Sequence, residues 1–478
     1  MVSEVAPLGR IDQGLIVLYL VALLAVGFSF LRRSREEEDY LLAGRRLSVG
    51  AFVATLVSTW YGGILAVGES GWLYGVAVIF MFGVPYYAAS LVFALWLAPK
   101  IRASALYTIP DKVGQTYGRG AAMVAAVLCW LLTNPAPYVL MQATLLSLAF
   151  GLNHFPAMLI GLVLSTVYVY VGGFRADVRV NIVQFVLMFA AFVIIIPFCV
   201  VKLGGWSWLV AQIPAGHWQW NGGNSWQYML AWWFIALWTL VEPSFHQRCY
   251  AARSPQVAQR GVLLSIVCWF TFDLMTLTTA LYARAALPDL ASPLMAFPVL
   301  GQRVLPTFML GLFYVGMLAT VMSTTVSYTF MSGVTFSRDI VWRLRGARAE
   351  ESSERWTGWG LLLTSVIAVV MALVWPSVKD LWYNFGTAFV PGLLLPVAVS
   401  YTKLPKPGRG WMAGLMAASS GVALAWLLVG LRNAVDGWPV MPWGVEPIYP
   451  GLLVSVVGYL WGVARDRAAR RRQDPVDE

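Results

Sequence analysis

Charged side chains are scarce in this sequence. They make up 12% of its 478 residues, where a soluble domain carries about 25%. A further 59% of the residues are hydrophobic. A soluble fold of this size alternates its apolar residues with polar ones; here long stretches run with almost no charge, from Leu15 to Leu31, Val78 to Ala98 and Ile182 to Val201. Each is close to the roughly 20 residues that cross about 30 Å of hydrocarbon as a helix. A buried helix in a soluble core accounts for any one of them, but not for their repetition along the whole chain. Histidine and cysteine are scarcer still. His154, His217 and His246 are scattered, and Cys129, Cys199, Cys249 and Cys268 lack metal-ligand spacing. The cysteines read as small apolar-facing residues rather than as ligands or disulfides. Also missing are a phosphate loop, a dinucleotide fingerprint and a nucleophile elbow, so no enzyme is expected.

What is present is a series of apolar spans. Thirteen fit, at about 13–31, 50–72, 78–98, 121–150, 155–172, 180–202, 226–246, 261–283, 305–336, 358–375, 381–402, 410–430 and 449–464. The first is expected to remain as a span rather than be removed as a signal peptide. Arg10 before it is outweighed by Glu4 and Asp12, and no small-residue cleavage site follows. The basic residues supply an independent test. With the N-terminus outside, 27 of the 33 Lys and Arg residues fall in inner connections. Only Arg10, Lys202, Arg284, Arg303, Lys379 and Arg432 fall outside. One missed span would swap every later loop, so the positive-inside rule predicts thirteen spans, an outer N-terminus and a cytoplasmic C-terminus. The net charge of +10 then reads as span ends facing anionic lipid at the cytoplasmic face, not as a nucleic-acid surface.

Several spans carry residues that a passive anchor avoids. In the second, Gly62 and Gly63 follow Ser58 and Thr59 near the midplane. Paired glycines weaken a helix and free its carbonyls, which hydrocarbon tolerates only beside protein or a wet cavity. Close helix packing through small residues is the plainer reading. In the ninth, Ser323, Thr324 and Thr325 are adjacent; such hydroxyls can turn lone pairs to a hard cation, or bond back to the preceding turn. Glu242 with Pro243 lies in the inner half of the seventh span. It reads as a cap on a broken helix, as a partner for Arg248, or as a solute contact. Asp273 sits mid-span in the eighth and Glu69 near the outer boundary; Asp273 suits pairing, a proton relay or a structural polar network, Glu69 an outer vestibule or plain contact with water. Pro135 and Pro137 break the fourth span, and Pro391 with Gly392 the eleventh. Trp60, Tyr61, Trp232, Trp233 and Trp238 either stack on a solute or fill core volume.

Four stretches in order resemble the sodium:solute symporter family. They are Asp39-Tyr-Leu-Leu-Ala-Gly-Arg-Arg-Leu, Val171-Gly-Gly-Phe-Arg-Ala-Asp-Val-Arg-Val-Asn-Ile-Val-Gln184, His246-Gln-Arg-Cys-Tyr-Ala-Ala-Arg-Ser254 and Ala319-Thr-Val-Met-Ser-Thr324. The resemblance implies an all-α polytopic membrane protein with a 5+5 inverted-repeat core and discontinuous helices. The repeats would lie at 50–202 and 226–402, joined by an extracellular loop at 203–225. An extra helix and loop would occupy 1–49, and two C-terminal helices with a basic tail 403–478. Broken midplane helices are where such transporters bind solute and ion.

Matched residue by residue, the family's Na+ site falls on the carbonyls of Ser58, Tyr61 and Thr320 and the hydroxyls of Ser323 and Thr324. Trp60, Gly62 and Leu65 would meet the solute, with Phe80, Trp238 and Glu242 offered from facing helices. Many relatives have aspartate at Asn181 and some a carboxylate at Trp60, which implies one Na+ here rather than two. The implied activity is Na+-coupled uptake of a small polar solute, zwitterionic or amine-bearing, with a single chain as the functional unit. Proton coupling and a solute sensor without net transport are the alternatives.

Overall fold

The computed structural model describes residues 6–29, 37–345, 354–375, 377–434 and 439–473. Arg32, Arg33, Arg35 and Arg348, counted above as inner basic residues, lie outside them. The architecture is all-α. Its helices are α1 (Arg10–Phe28), α2 (Val49–Trp60), α3 (Ile64–Tyr74), α4 (Ile79–Ala103) and α5 (Arg119–Phe150). They continue with α6 (His154–Lys202), α7 (Trp226–Ala236), α8 (Pro243–Ala251) and α9 (Pro255–Ala286). The last are α10 (Met309–Trp342), α11 (Trp356–Val374), α12 (Val378–Ser400), α13 (Arg409–Arg432) and α14 (Ile448–Ala469). Among the described residues, ten helices are long and apolar enough to cross a membrane, or eleven if the bent pair α2–α3 is one span. The chain is a multi-pass membrane protein.

The sequence reading reached thirteen by dividing α6 into two spans and by counting 226–246 as one. Helix α6 runs for 49 residues, which at 1.5 Å per residue is more than twice the hydrocarbon thickness. Gly173 interrupts it with φ 56° and ψ −152°, a conformation that glycine alone adopts freely. A Cβ there would also strike the Tyr40 carbonyl. The expected span 226–246 is divided instead: the 3₁₀ turn Leu237–Val241 with Glu242 separates α7 from α8, each too short to be counted as a crossing by itself.

The breaks that shape the core arise locally. Between α2 and α3, Tyr61 to Gly63 leave the helical ladder and the axis turns by 61°. In α5, Thr133 to Pro135 are non-helical, and Asn134 Oδ1 accepts from the Ala136 amide at 3.0 Å. The break expected at Pro391 does not occur: α12 is continuous through Pro391 and Pro396. Gly392 serves close packing instead, since a Cβ there would fall on Ser420 Oγ of α13.

Helix α10 lies at the centre, buried along nearly its whole length, against α2, α5 and α6. Its first turn is capped from outside itself. Asp12 Oδ1 of α1 accepts from the amides of Phe308 (2.8 Å) and Gly311 (2.9 Å), placing a carboxylate at the positive end of the helix. At the other end, Arg338 Nη1 lies 2.9 Å from Asp111 and Arg343 Nη2 3.1 Å from Asp339. Two of the basic residues expected on the inner side are thus engaged by carboxylates rather than left for lipid.

Candidate functional site

The break after α2 puts bare carbonyls against the middle of α10. Ser323 Oγ lies 2.8 Å from both the Ser58 and Thr320 carbonyl oxygens. Thr324 Oγ1 lies 2.7 Å from the Thr59 carbonyl and 3.4 Å from that of Ser58. Two hydroxyl hydrogens therefore serve three carbonyl oxygens, and all five residues are fully buried. Such a cluster of neutral oxygens has the chemistry to hold a monovalent cation once the hydroxyls turn their lone pairs inward. Gly62 makes the approach possible, because a Cβ there would occupy the space of the Thr324 side chain. Thr325 takes no part: its hydroxyl bonds back to Val321 at 3.0 Å. The Thr59 carbonyl, absent from the expected set, faces Thr324, whereas Tyr61 donates its amide to Val57 at 3.3 Å and closes α2.

A charged cluster that the sequence reading did not assemble lies next to these oxygens. Asp177 of α6 and Arg248 of α8 pair at 3.3 Å, with side chains 1% and 0% exposed. Ser327 Oγ lies 2.9 Å from each Asp177 oxygen, and Asn181 Nδ2 lies 3.1 Å from Oδ1. Arg248 Nη2 also donates to Thr59 Oγ1 at 2.8 Å. Arg248 had been offered as a partner for Glu242; it pairs with Asp177 instead. The available signal was an acid and an arginine in apolar context, both inside recognised stretches.

Beside the break opens a cavity of about 110 Å³. Eleven of its fifteen lining residues are aromatic, and Asp273 is the one carboxylate among them. Both Asp273 oxygens accept hydrogen bonds, from the hydroxyls of Tyr61 and Tyr87. Of the residues expected to meet solute, Trp60 and Trp238 line this cavity. Four do not. Leu65 is buried in α3 packing, and Gly62 faces Thr324. Phe80 is 38% exposed with its ring 6.5 Å from Trp220, and Phe82 lines the wall in its place. Ile79–Gly83 is a π-turn, and the extra residue per turn rotates side chains away from the ordinary helical register. Glu242 caps α8, its Oε1 accepting from the Ser244 amide at 3.3 Å. Trp269, Tyr328 and Trp382 complete the wall from α9, α10 and α12; only packing brings them together.

The capping geometry yields a test. Glu242→Gln keeps an acceptor for the Ser244 amide and is expected to change solute half-saturation by less than about threefold, whereas Glu242→Ala loses a cap worth about 1 kcal/mol of stability. A Gln variant with tenfold weaker solute binding would return the carboxylate to the solute. Thermal melting and uptake on the same preparations separate the two.

Comparison with known proteins agrees with this geometry. The sodium:solute symporter family matches residues 40–403. Solute carrier family 5 member 4A of Mus musculus is 27% identical over 208 residues, 41% of this chain and 31% of that protein. The high-affinity choline transporter 1 of Drosophila melanogaster is 24% identical over 190 residues, 38% of this chain and 31% of that protein. The chain thus spans about a third of the length of these curated relatives. The fold is that of a Na+-coupled sialic acid symporter solved in a substrate-bound outward-open state. The TM-score is 0.80 at 14% identity, covering 96% of this chain and 98% of that one. With three quarters of its length matched, a discontinuous helix at its centre and that shared fold, the chain belongs to the sodium:solute symporter family.

Proposed function

We propose that the protein is a Na+-coupled symporter that takes up a small polar organic solute by alternating access. The observation that carries this reading is the packing of the Ser323 and Thr324 hydroxyls on the carbonyls of Ser58, Thr59 and Thr320 at the break after α2. Na+ would sit among Ser58, Tyr61, Thr320, Ser323 and Thr324. Trp60, Tyr61 and Gly63, only two to five residues beyond Ser58, form part of the cavity wall. An ion that orders the Ser58–Gly63 segment therefore also orders the wall, and by linkage the solute must in turn raise the affinity for Na+. One Na+ per cycle fits the charge arrangement, because Arg248 already occupies the Asp177 carboxylate.

The same reading carries thirteen crossings, with an outer N-terminus, a cytoplasmic C-terminus and inverted repeats at 50–202 and 226–402. It places the chain in a cell inner or plasma membrane as a functional monomer. Exposed Arg46, Arg253, Arg260, Lys403, Arg409 and Arg467 are among the basic residues that would meet anionic lipid at the inner face. The solutes named for the relatives differ, so solute chemistry must come from the cavity itself.

Proteoliposome uptake tests the coupling. Replacing Na+ by K+ at fixed pH is expected to abolish accumulation; uptake driven equally by a proton gradient in K+ would sink the proposal. With one Na+ and a neutral or zwitterionic solute, one charge crosses per turnover, and each 100 mV of inside-negative potential supplies about 2.3 kcal/mol. Uptake indifferent to imposed potential would exclude that stoichiometry with that solute charge.

A further inference from the structure

The cavity beside the break has a wall suited to one chemical class. Asp273 brings a carboxylate whose two oxygens already accept from Tyr61 and Tyr87. Around it stand aromatic faces. The Trp60 ring lies 6.2 Å from that of Trp269 and 5.4 Å from that of Tyr86. Among the described residues the wall contains no Lys, Arg, His, Asn, Gln, Ser or Thr. Its polar groups are the Asp273 carboxylate, the hydroxyls of five tyrosines and the indole N–H groups of its tryptophans, and apolar ring surface makes up most of the rest. A solute carboxylate would find no basic side chain. A primary ammonium has three strong donors, and the single anionic acceptor in the wall, Asp273, already accepts from Tyr61 and Tyr87.

Eleven aromatic side chains around one carboxylate match best a weakly hydrated cation whose surface is methyl groups. Such a head gains from aromatic faces through the ring quadrupole and from a nearby carboxylate through charge, without needing a direct hydrogen bond. At about 10–15 Å³ for each water-sized group, the volume admits a solute of roughly seven to eleven heavy atoms. Resting on the symport reading above, we propose that the solute carries a quaternary or tertiary ammonium head, bound against Trp60 and Trp269 with Asp273 as its counter-ion.

The experiment uses the purified full-length chain in proteoliposomes and detergent. Choline and its uncharged carbon isostere, 3,3-dimethylbutan-1-ol, are titrated in NaCl with tryptophan fluorescence as the readout. Choline is expected to bind at least about tenfold more tightly than the isostere, the scale set by a desolvated cation–aromatic contact. Tetramethylammonium is expected to compete with choline. Asp273→Asn should weaken choline about tenfold and leave the isostere unchanged. Trp60→Leu should weaken choline more than Trp60→Phe does, which keeps a ring. If Asp273→Asn does not fold, the choline–isostere comparison on the unaltered protein decides alone. Equal binding of choline and isostere overturns the proposal. So does Na+-driven uptake of a solute without an ammonium group that choline fails to inhibit; that result leaves the symport reading standing. Choline binding that persists unchanged when K+ replaces Na+ supports the cage and removes the coupling instead.

Discussion

Replacing Ser323 and Thr324 together by alanine is expected to raise the Na+ concentration for half-maximal uptake by about 30- to 150-fold. The estimate takes each lost hydroxyl as about 1–1.5 kcal/mol, so that two remove about 2–3 kcal/mol of ion binding. Folding should survive. Both hydroxyls sit on one turn of a fully buried helix, and removing them leaves only the carbonyls of Ser58, Thr59 and Thr320 short of a partner. Those carbonyls border the cluster around Arg248, which remains intact. Each single variant should show roughly half the effect in free energy, because Ser323 and Thr324 contact overlapping but different carbonyls. Na+ activation of uptake, alongside a melting curve for the same preparation, is the measurement. A double variant that melts normally and shows unaltered Na+ dependence would move the ion site elsewhere.

The second large effect concerns the buried pair. Arg248→Met leaves Asp177 buried without its counter-charge, and breaking such a pair costs about 3–5 kcal/mol. Arg248 also donates to Thr59 and Ser327, so its loss loosens the contact between α2, α8 and α10. Little properly folded Arg248→Met protein is expected after extraction. Asp177→Asn should be comparably damaging, since the guanidinium then lacks its counter-charge. Removing both charges together abolishes the uncompensated charge. The Asp177→Asn, Arg248→Met double variant is therefore expected to recover at least about 2 kcal/mol relative to the sum of the single losses. Thermal stability of the three variants and the parent completes the cycle. Strict additivity would show that the two side chains do not act as a pair.

The cluster also clarifies the position of Asn181. Where relatives often carry aspartate, this chain has an amide that bonds to Asp177, four residues earlier and one helical turn away. Asp177 itself faces Arg248 and is engaged by it. The Asp177–Arg248 pair supports the proposed count of one Na+.

By itself, the sequence determined what depends on near neighbours in the chain. Charge-free runs of about twenty residues specify membrane helices because an unpaired backbone in hydrocarbon is so costly. Gly62–Gly63 and Pro135 specify breaks because their backbone limits act within a turn or two. Proline alone was not sufficient: α12 carries Pro391 and Pro396 without interruption, held straight by its neighbours. Tertiary structure alone decided which side chains meet across helices. It chose Phe82 over Phe80, turned Glu242 into a cap, and joined Asp177 to Arg248 across 71 positions of sequence. These outcomes depend on the rotation of each helix about its axis and on local π and 3₁₀ turns. Both are set by how whole helices pack, which no short window of residues encodes.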